Sequence, residues 1–268
     1  MSHKSAIFLI WILTYLQAAF ELHPDEQFFM SRRPPGFLPS HDLSLNLSLE
    51  RGRPFRLPGL YYHQQQIFGS WTRHRFRLAH FQYGNTIYTE STLALQYGYQ
   101  VRRPLLVSLS LQNYSLRIRD YGQARTWGLS LELAGRVRSD LHWRFALRNI
   151  NQPRIGRSRE ELPVVARLET RWQPLAFLTG HVRWTQDLSR GYDPLESAIW
   201  LIYSPSPRLQ CLSGYARHPT RILGSVSFSW LNCSFFYEII YYHDLTRFST
   251  RTGLSLVLDL PGKGLRTK

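Results

Sequence analysis

The chain has 268 residues, with 33 Lys+Arg against 18 Asp+Glu and a formal net charge of +15. Its mean hydropathy of −0.29 excludes a bundle of membrane helices, though not a barrel, whose strands alternate polar and apolar residues and so average out. A basic surplus points to nucleic acid or an anionic membrane surface. Arginine, far commoner here than lysine, is scattered through the chain with no basic run and no nucleic-acid motif, which points away from nucleic acid.

In chain order, the first segment is MSHKSAIFLIWILTYLQAAFELHP. Lys4 precedes an apolar run from Ala6 to Leu16, and Gln17-Ala18-Ala19 offers small residues for cleavage. This pattern predicts a secretory signal peptide over 1–19, whose apolar run is too short to span a bilayer comfortably as a helix. Residues 20–40, with Phe28, Phe29 and Met30 among several prolines, are expected to form a periplasmic leader or a small plug. A basic tail follows residue 260 and runs over 261–268.

From about residue 41 to 260 the pattern is period two. Leu43, Leu45, Leu47 and Leu49 share one face, and Ser44, Asn46, Ser48 and Glu50 the other. Leu93, Leu95, Tyr97, Tyr99 and Val101 share a face, as do Leu105, Val107, Leu109 and Leu111. In TWGLSLELAGRVRSDLHWRFALRN, Trp127, Leu129, Leu131, Leu133, Leu141, Trp143, Phe145 and Leu147 oppose Glu132, Arg136, His142, Arg144 and Arg148. Ile222, Val226, Phe228 and Trp230 oppose Ser225, Ser227 and Ser229. Successive side chains of a strand point to opposite faces, so each run reads as a strand with one apolar side. About fourteen strands are expected, near 42–51, 60–70, 72–84, 89–102, 104–119, 124–138, 140–151, 161–173, 175–187, 195–204, 207–217, 221–231, 232–243 and 247–259.

Parity alone fits a soluble β-sandwich as well as a barrel. Three further features favour the barrel. Most segments have about 10–15 residues, enough to cross a membrane when tilted. Short connections (Arg102-Arg103-Pro104, Ser139-Asp140, Gln173-Pro174, Ser204 to Pro207, Leu231-Asn232) alternate with longer ones, as tight periplasmic turns alternate with outer loops. Aromatics at strand ends, among them Tyr61, Tyr62, Trp71, Tyr83, Trp127, Trp172, Tyr237, Tyr241 and Tyr242, read as interfacial girdles. The expected fold is therefore an all-β, antiparallel up-and-down outer-membrane barrel. Cys211 and Cys233 fall on strands that are not neighbours, which predicts two free thiols.

Several stretches carry a family likeness: YTESTLALQYGYQV, ALRNINQPRIG, ELPVVARLETRWQP, SAIWLIYSPSPRLQCLSGYARHPTRI and FFYEIIYYHDLTRFSTRTGLSL. The most specific part is Asn149-x-x-Gln152-Pro153 followed by Leu162-Pro163. Over about residues 60–260 the chain resembles outer-membrane barrels of the PorV/PorQ type, distant relatives of the long-chain fatty-acid transporter barrels. The resemblance implies fourteen strands. It also implies either transport of a hydrophobic molecule or a shuttle and attachment role in type IX secretion. Residues 20–40 are too few for the hatch of the fatty-acid transporters, and LPGKGLRTK lacks a terminal aromatic.

Catalytic chemistry has little footing. His142 and His181 with Ser225, Ser227 or Ser229 supply the residue types of a Ser/His pair, but there is no GxSxG elbow and no linking spacing. No HxH or HExxH arrangement occurs, so neither an enzyme nor a metal or other cofactor is expected. Parity places Glu132, Arg144, Arg148, Arg167, Glu169, Arg171, Arg183 and Arg251 in the lumen. They read in two ways: an ion-pair ladder that stiffens the wall, or guanidinium groups that meet an anionic group such as a carboxylate. Arg154, Arg157 and Arg159 in an outer loop are candidates to hold lipopolysaccharide.

Overall fold

The computed structural model describes residues 43–57, 59–102, 104–156, 160–189 and 195–260. The expected signal peptide, leader or plug, and basic tail lie outside the described residues. The strands are β1 (Leu43–Arg53), β2 (Tyr61–Trp71), β3 (His74–Gly84), β4 (Tyr88–Arg102), β5 (Leu105–Ile118), β6 (Gly122–Arg138) and β7 (Leu141–Arg148). Two short strands follow, β8 (Arg154–Ile155) and β9 (Glu160–Glu161). The second half holds β10 (Val165–Leu175), β11 (Leu178–Asp187), β12 (Glu196–Ser206), β13 (Leu209–Arg217), β14 (Arg221–Trp230), β15 (Cys233–Tyr242) and β16 (Arg247–Leu260).

Fourteen of these close one antiparallel barrel in sequence order, with β8 and β9 set apart as a two-stranded hairpin between β7 and β10. Closure runs from Leu43 opposite Leu260 to Arg53 opposite Thr250. Among the described strands each of the fourteen has a neighbour on both sides, the condition lipid imposes on a sheet. The rims differ as expected. The connections at one rim are two residues each, at 72–73, 103–104, 139–140, 176–177, 207–208 and 231–232. Those at the other run from three residues at 85–87 to sixteen at 149–164. Tight turns mark the periplasmic rim, and long loops the outer one.

Burial is inverted relative to a soluble domain. Leu95 is 56% exposed and Trp127 55%, whereas Glu132 is 7% exposed and Arg183 3%. The apolar residues of each strand point out of the cylinder and the polar residues point in. This is the sandwich reading turned inside out, and it needs lipid against the outer wall. Glycines let large rings lie flat on the wall. A Cβ at Gly135 would collide with the indole of Trp143, and one at Gly214 with that of Trp200.

Four features differ from the sequence expectation. Two turns move: the chain reverses at Ala176-Phe177, not Gln173-Pro174, and at Pro207-Arg208, not from Ser204. Pro174 and Pro205 instead sit inside β10 and β12, where the register shifts between Trp172 and Leu175 and between Tyr203 and Ser206. A proline that cannot donate to the ladder is accommodated at such an irregularity. Third, the strand expected to end at 151 stops at Arg148, and its neighbour starts at Val165 instead of 161. Asn149 and Gln152 take positive φ (53° and 47°) and turn the chain out of the wall. Last, Tyr62, Tyr83 and Tyr242 are buried inside the barrel and do not belong to an outer girdle, whereas Trp71, Trp127, Trp172 and Tyr237 are exposed on the outside. Cys211 and Cys233 are free, on β13 and β15 with β14 between them.

Candidate lumen site

The lumen has two layers. Toward the turn rim its wall on β6, β7, β10 and β11 is charged. Register places Arg144 opposite Glu169, and Glu169 opposite Arg183. Arg144 donates from Nη2 to Glu132 Oε2 at 2.6 Å and from Nη1 to Glu169 Oε2 at 3.3 Å. Arg183 Nη1 lies 4.0 Å from Glu169 Oε1, and its guanidinium stands 4.4 Å over the Trp200 ring. Gln96 on β4 reaches Glu132 Oε2 at 3.1 Å. Four of the eight charged residues picked out by parity thus form one network. Buried charges are tolerated when each carboxylate meets a guanidinium in good geometry.

The other four lie elsewhere on the lumen wall. Arg251 pairs with Glu238 across β15 and β16 at 2.7 Å. Arg148 is buried on β7, opposite Val165. Arg167 and Arg171 are buried on β10, each with Nε and Nη1 lacking a hydrogen-bond partner among the described residues. Arg171 lies between His142 on β7 and His181 on β11. A further pair absent from the parity set, Arg221 with Glu196 at 2.6 Å, joins β14 to β12. The imagined Ser/His pair does not form along the wall. His181 is level with Leu223 on β14, through Trp200 and Gly214, so Ser225 is both out of level and three strands away, about 14 Å at ~4.8 Å per strand. Among the described residues no group of three or more His, Cys, Asp or Glu is placed to hold a metal ion.

Toward the loop rim the lumen is aromatic. Phe55 folds in from the first loop at φ 53°, with its N–H donating to Ser249 Oγ at 2.8 Å and its ring 5.0 Å from that of Tyr242. Tyr62 and Phe81 stack at 6.1 Å. Tyr83 and Tyr114 are buried beside them. Glu90, on the same face of β4, is 1% exposed. The parity signal was available: Phe81 and Tyr83 share the face of Arg75 and Arg77, and Tyr62 that of Gln64.

The Asn149, Gln152, Pro153, Leu162 and Pro163 positions meet in the 149–164 loop. Tyr114 shares its hydroxyl proton between Gln112 Oε1 at 3.0 Å and Asn149 Oδ1 at 2.9 Å. Asn149 Nδ2 donates to the Pro163 carbonyl at 2.9 Å. The Gln152 N–H donates to the Asn149 carbonyl, and that of Leu162 to the Pro153 carbonyl, each at 2.8 Å. Asn151 then caps the edge of β6, accepting from Leu129 N at 2.8 Å and donating to Trp127 O at 2.9 Å. The motif is a clasp that pins the longest loop to the aromatic layer. In that loop Arg154 is committed to Glu161, Nε to Oε1 at 3.0 Å, while Arg157 and Arg159 lie outside the described residues.

At the turn rim, Asp140 accepts from Arg138 Nη2 at 2.6 Å and from Trp172 Nε1 at 3.1 Å. The guanidinium holds this carboxyl down at about 2, below the usual carboxylate range.

No family model matches the sequence, and no curated protein is similar to it. Solved structures are similar in fold. The Pseudomonas putida toluene transporter TodX superposes with a TM-score of 0.57 over 87% of this chain and 92% of that one, at 9% identity. The protein is an outer-membrane-type β-barrel. A second barrel, the CymD monoaromatic hydrocarbon channel, gives a TM-score of 0.55 over 82% of this chain and 88% of that one, at 11% identity. The apolar outer belt and the closed edge place this fold in a bilayer of the bacterial outer-membrane kind.

Proposed function

We propose that the barrel binds a hydrophobic or amphipathic small molecule and passes it across the bacterial outer membrane. In this reading residues 1–19 are the export signal and 20–40 a leader or small plug. The observation that carries the proposal is the aromatic layer at the loop rim, built from Phe55, Tyr62, Phe81, Tyr83, Tyr114 and Tyr242, in a fold shared with toluene and monoaromatic hydrocarbon channels. Rings at the outer mouth receive an apolar body by stacking and edge contacts. The Glu132–Arg144–Glu169–Arg183 network stiffens the wall beneath. The test is arene entry into vesicles carrying the purified barrel. Toluene should equilibrate faster than into protein-free vesicles, and Phe81→Ser with Tyr83→Ser should slow it. Equal rates with and without protein would remove the proposal.

A second reading follows the PorV/PorQ resemblance: a non-transporting scaffold whose outer loops hold secreted proteins. The clasped 149–164 loop and the paired charges of the β6–β11 wall support it. It predicts no arene entry, together with cross-links from the 149–164 loop to exported protein. Outer-membrane lipid, including lipopolysaccharide, is the proposed surrounding partner in either case.

A further inference from the structure

We propose that the loop-side lumen holds a site for a small organic cation, an alkyl- or arylammonium, with Glu90 as its counter-charge. The inference rests on the reading of the barrel as a passage for hydrophobic small molecules, and adds the sign of the cargo's charge. Glu90 faces the lumen from β4 and is 1% exposed, and among the described residues neither carboxylate oxygen has a hydrogen-bond partner. Elsewhere in the lumen, Glu132, Glu169, Glu196 and Glu238 each meet an arginine. Among the described residues Arg167 and Arg171 keep nitrogen atoms without partners on β10, so guanidinium groups are to spare there and none of them is brought to Glu90. A lone carboxylate taken out of water is costly, and an ionisable group inside a membrane protein marks the path of a ligand.

The surroundings fit a cation. Tyr83 lies directly opposite Glu90 on β3, and Leu116 directly opposite on β5. One step along the same face, Thr92 is flanked by Phe81 and Tyr114. Tyr62 lies opposite Tyr83 and stacks on Phe81. Ring faces attract an ammonium group, more strongly when water is excluded, and the carboxylate supplies the neutralising charge. A neutral arene leaves Glu90 unpaired, and an anion is repelled by it. The Tyr114 ring is fixed in advance by its hydrogen bonds to Gln112 and Asn149, so one wall of the cage is preset. Because Glu90 is covered, entry requires a neighbouring ring to swing aside.

The test uses the full chain in lipid vesicles, with intrinsic fluorescence as the readout. The probes are benzyltrimethylammonium and its uncharged carbon isostere neopentylbenzene, titrated into wild type, Glu90→Gln and Tyr83→Leu. Folding of each variant is checked by its different gel migration unheated and boiled. The cation should bind wild type about tenfold or more tighter than Glu90→Gln, while neopentylbenzene binds both alike. Tyr83→Leu should lower the preference for cation over isostere, which keeps the test decisive even if Glu90→Gln does not fold. Equal cation affinity in wild type and Glu90→Gln, or no preference over the isostere in wild type, overturns the proposal. If only neopentylbenzene binds, the cation site falls and hydrophobic passage stands. If neither binds, both fall.

Discussion

Two walls of the lumen follow the same alternation and end differently. On β6, β7, β10 and β11, Glu132 and Glu169 are both held by Arg144, with Arg183 behind Glu169. On β3, β4 and β5, Glu90 is buried among Tyr83, Phe81 and Tyr114 with no hydrogen-bond partner among the described residues. Period two delivers a polar side chain to the inside in both places. Only the cross-strand register decides whether its charge is answered. The answered wall reads as structure, a rigid side on which the cylinder leans, and the unanswered one reads as a place kept for something else.

The largest expected effect breaks the answered wall. Arg144→Met leaves Glu132 and Glu169 buried without their shared donor and should cost about 3–5 kcal/mol, measured by urea unfolding in vesicles. Replacing Arg144, Glu132 and Glu169 together by apolar residues of similar volume should recover most of that loss, because no charge is then left alone. On the outer face, Leu95→Arg puts a cation near the middle of β4 and should cost about 2–4 kcal/mol by the same measurement. A smaller effect is expected at the clasp between the two layers. Asn149→Ala removes the bond to the Pro163 carbonyl and one partner of Tyr114, worth about 1–3 kcal/mol, and should speed proteolysis within 149–164.

The smallest effect lies at the turn rim. The Asp140 carboxyl is held at about 2, below its ordinary value of 3.8. A lowered carboxylate contributes stability that is present above the unfolded value and lost as pH falls through the folded one. The clasp with Arg138 and Trp172 should therefore persist from pH 7 to pH 4 and open only as pH approaches 2, followed by the indole N–H resonance of Trp172.

Much of this fold was legible because lipid and lumen write themselves into alternate residues. Leu93, Leu95, Tyr97 and Tyr99 fix an outer face without knowledge of any partner strand. The lumen charges of β7 and β10 were legible for the same reason. What parity does not carry is the pairing between strands. Arg144 and Glu169 are far apart in the chain, and nothing in either segment says that they face each other while Glu90 faces rings. Bulges hid the turns at 176–177 and 207–208, because Pro174 and Pro205 read locally as turn residues. The aromatic layer was obscured by position: Tyr62, Tyr83 and Tyr242 stand at strand ends, where a tyrosine serves an interface as readily as a lumen, and only its parity tells them apart.

In a membrane barrel acyl chains cover the leucine and tryptophan exterior. The chain has eight tryptophans, and Trp71, Trp127, Trp172 and Trp230 are exposed on the outer wall. Reconstitution in phosphatidylcholine brominated along its acyl chains reads this directly, since bromine quenches indoles only on contact. The barrel predicts a large loss of tryptophan emission relative to unbrominated lipid. Emission unchanged by bromination, in protein that migrates as a folded species, would contradict it.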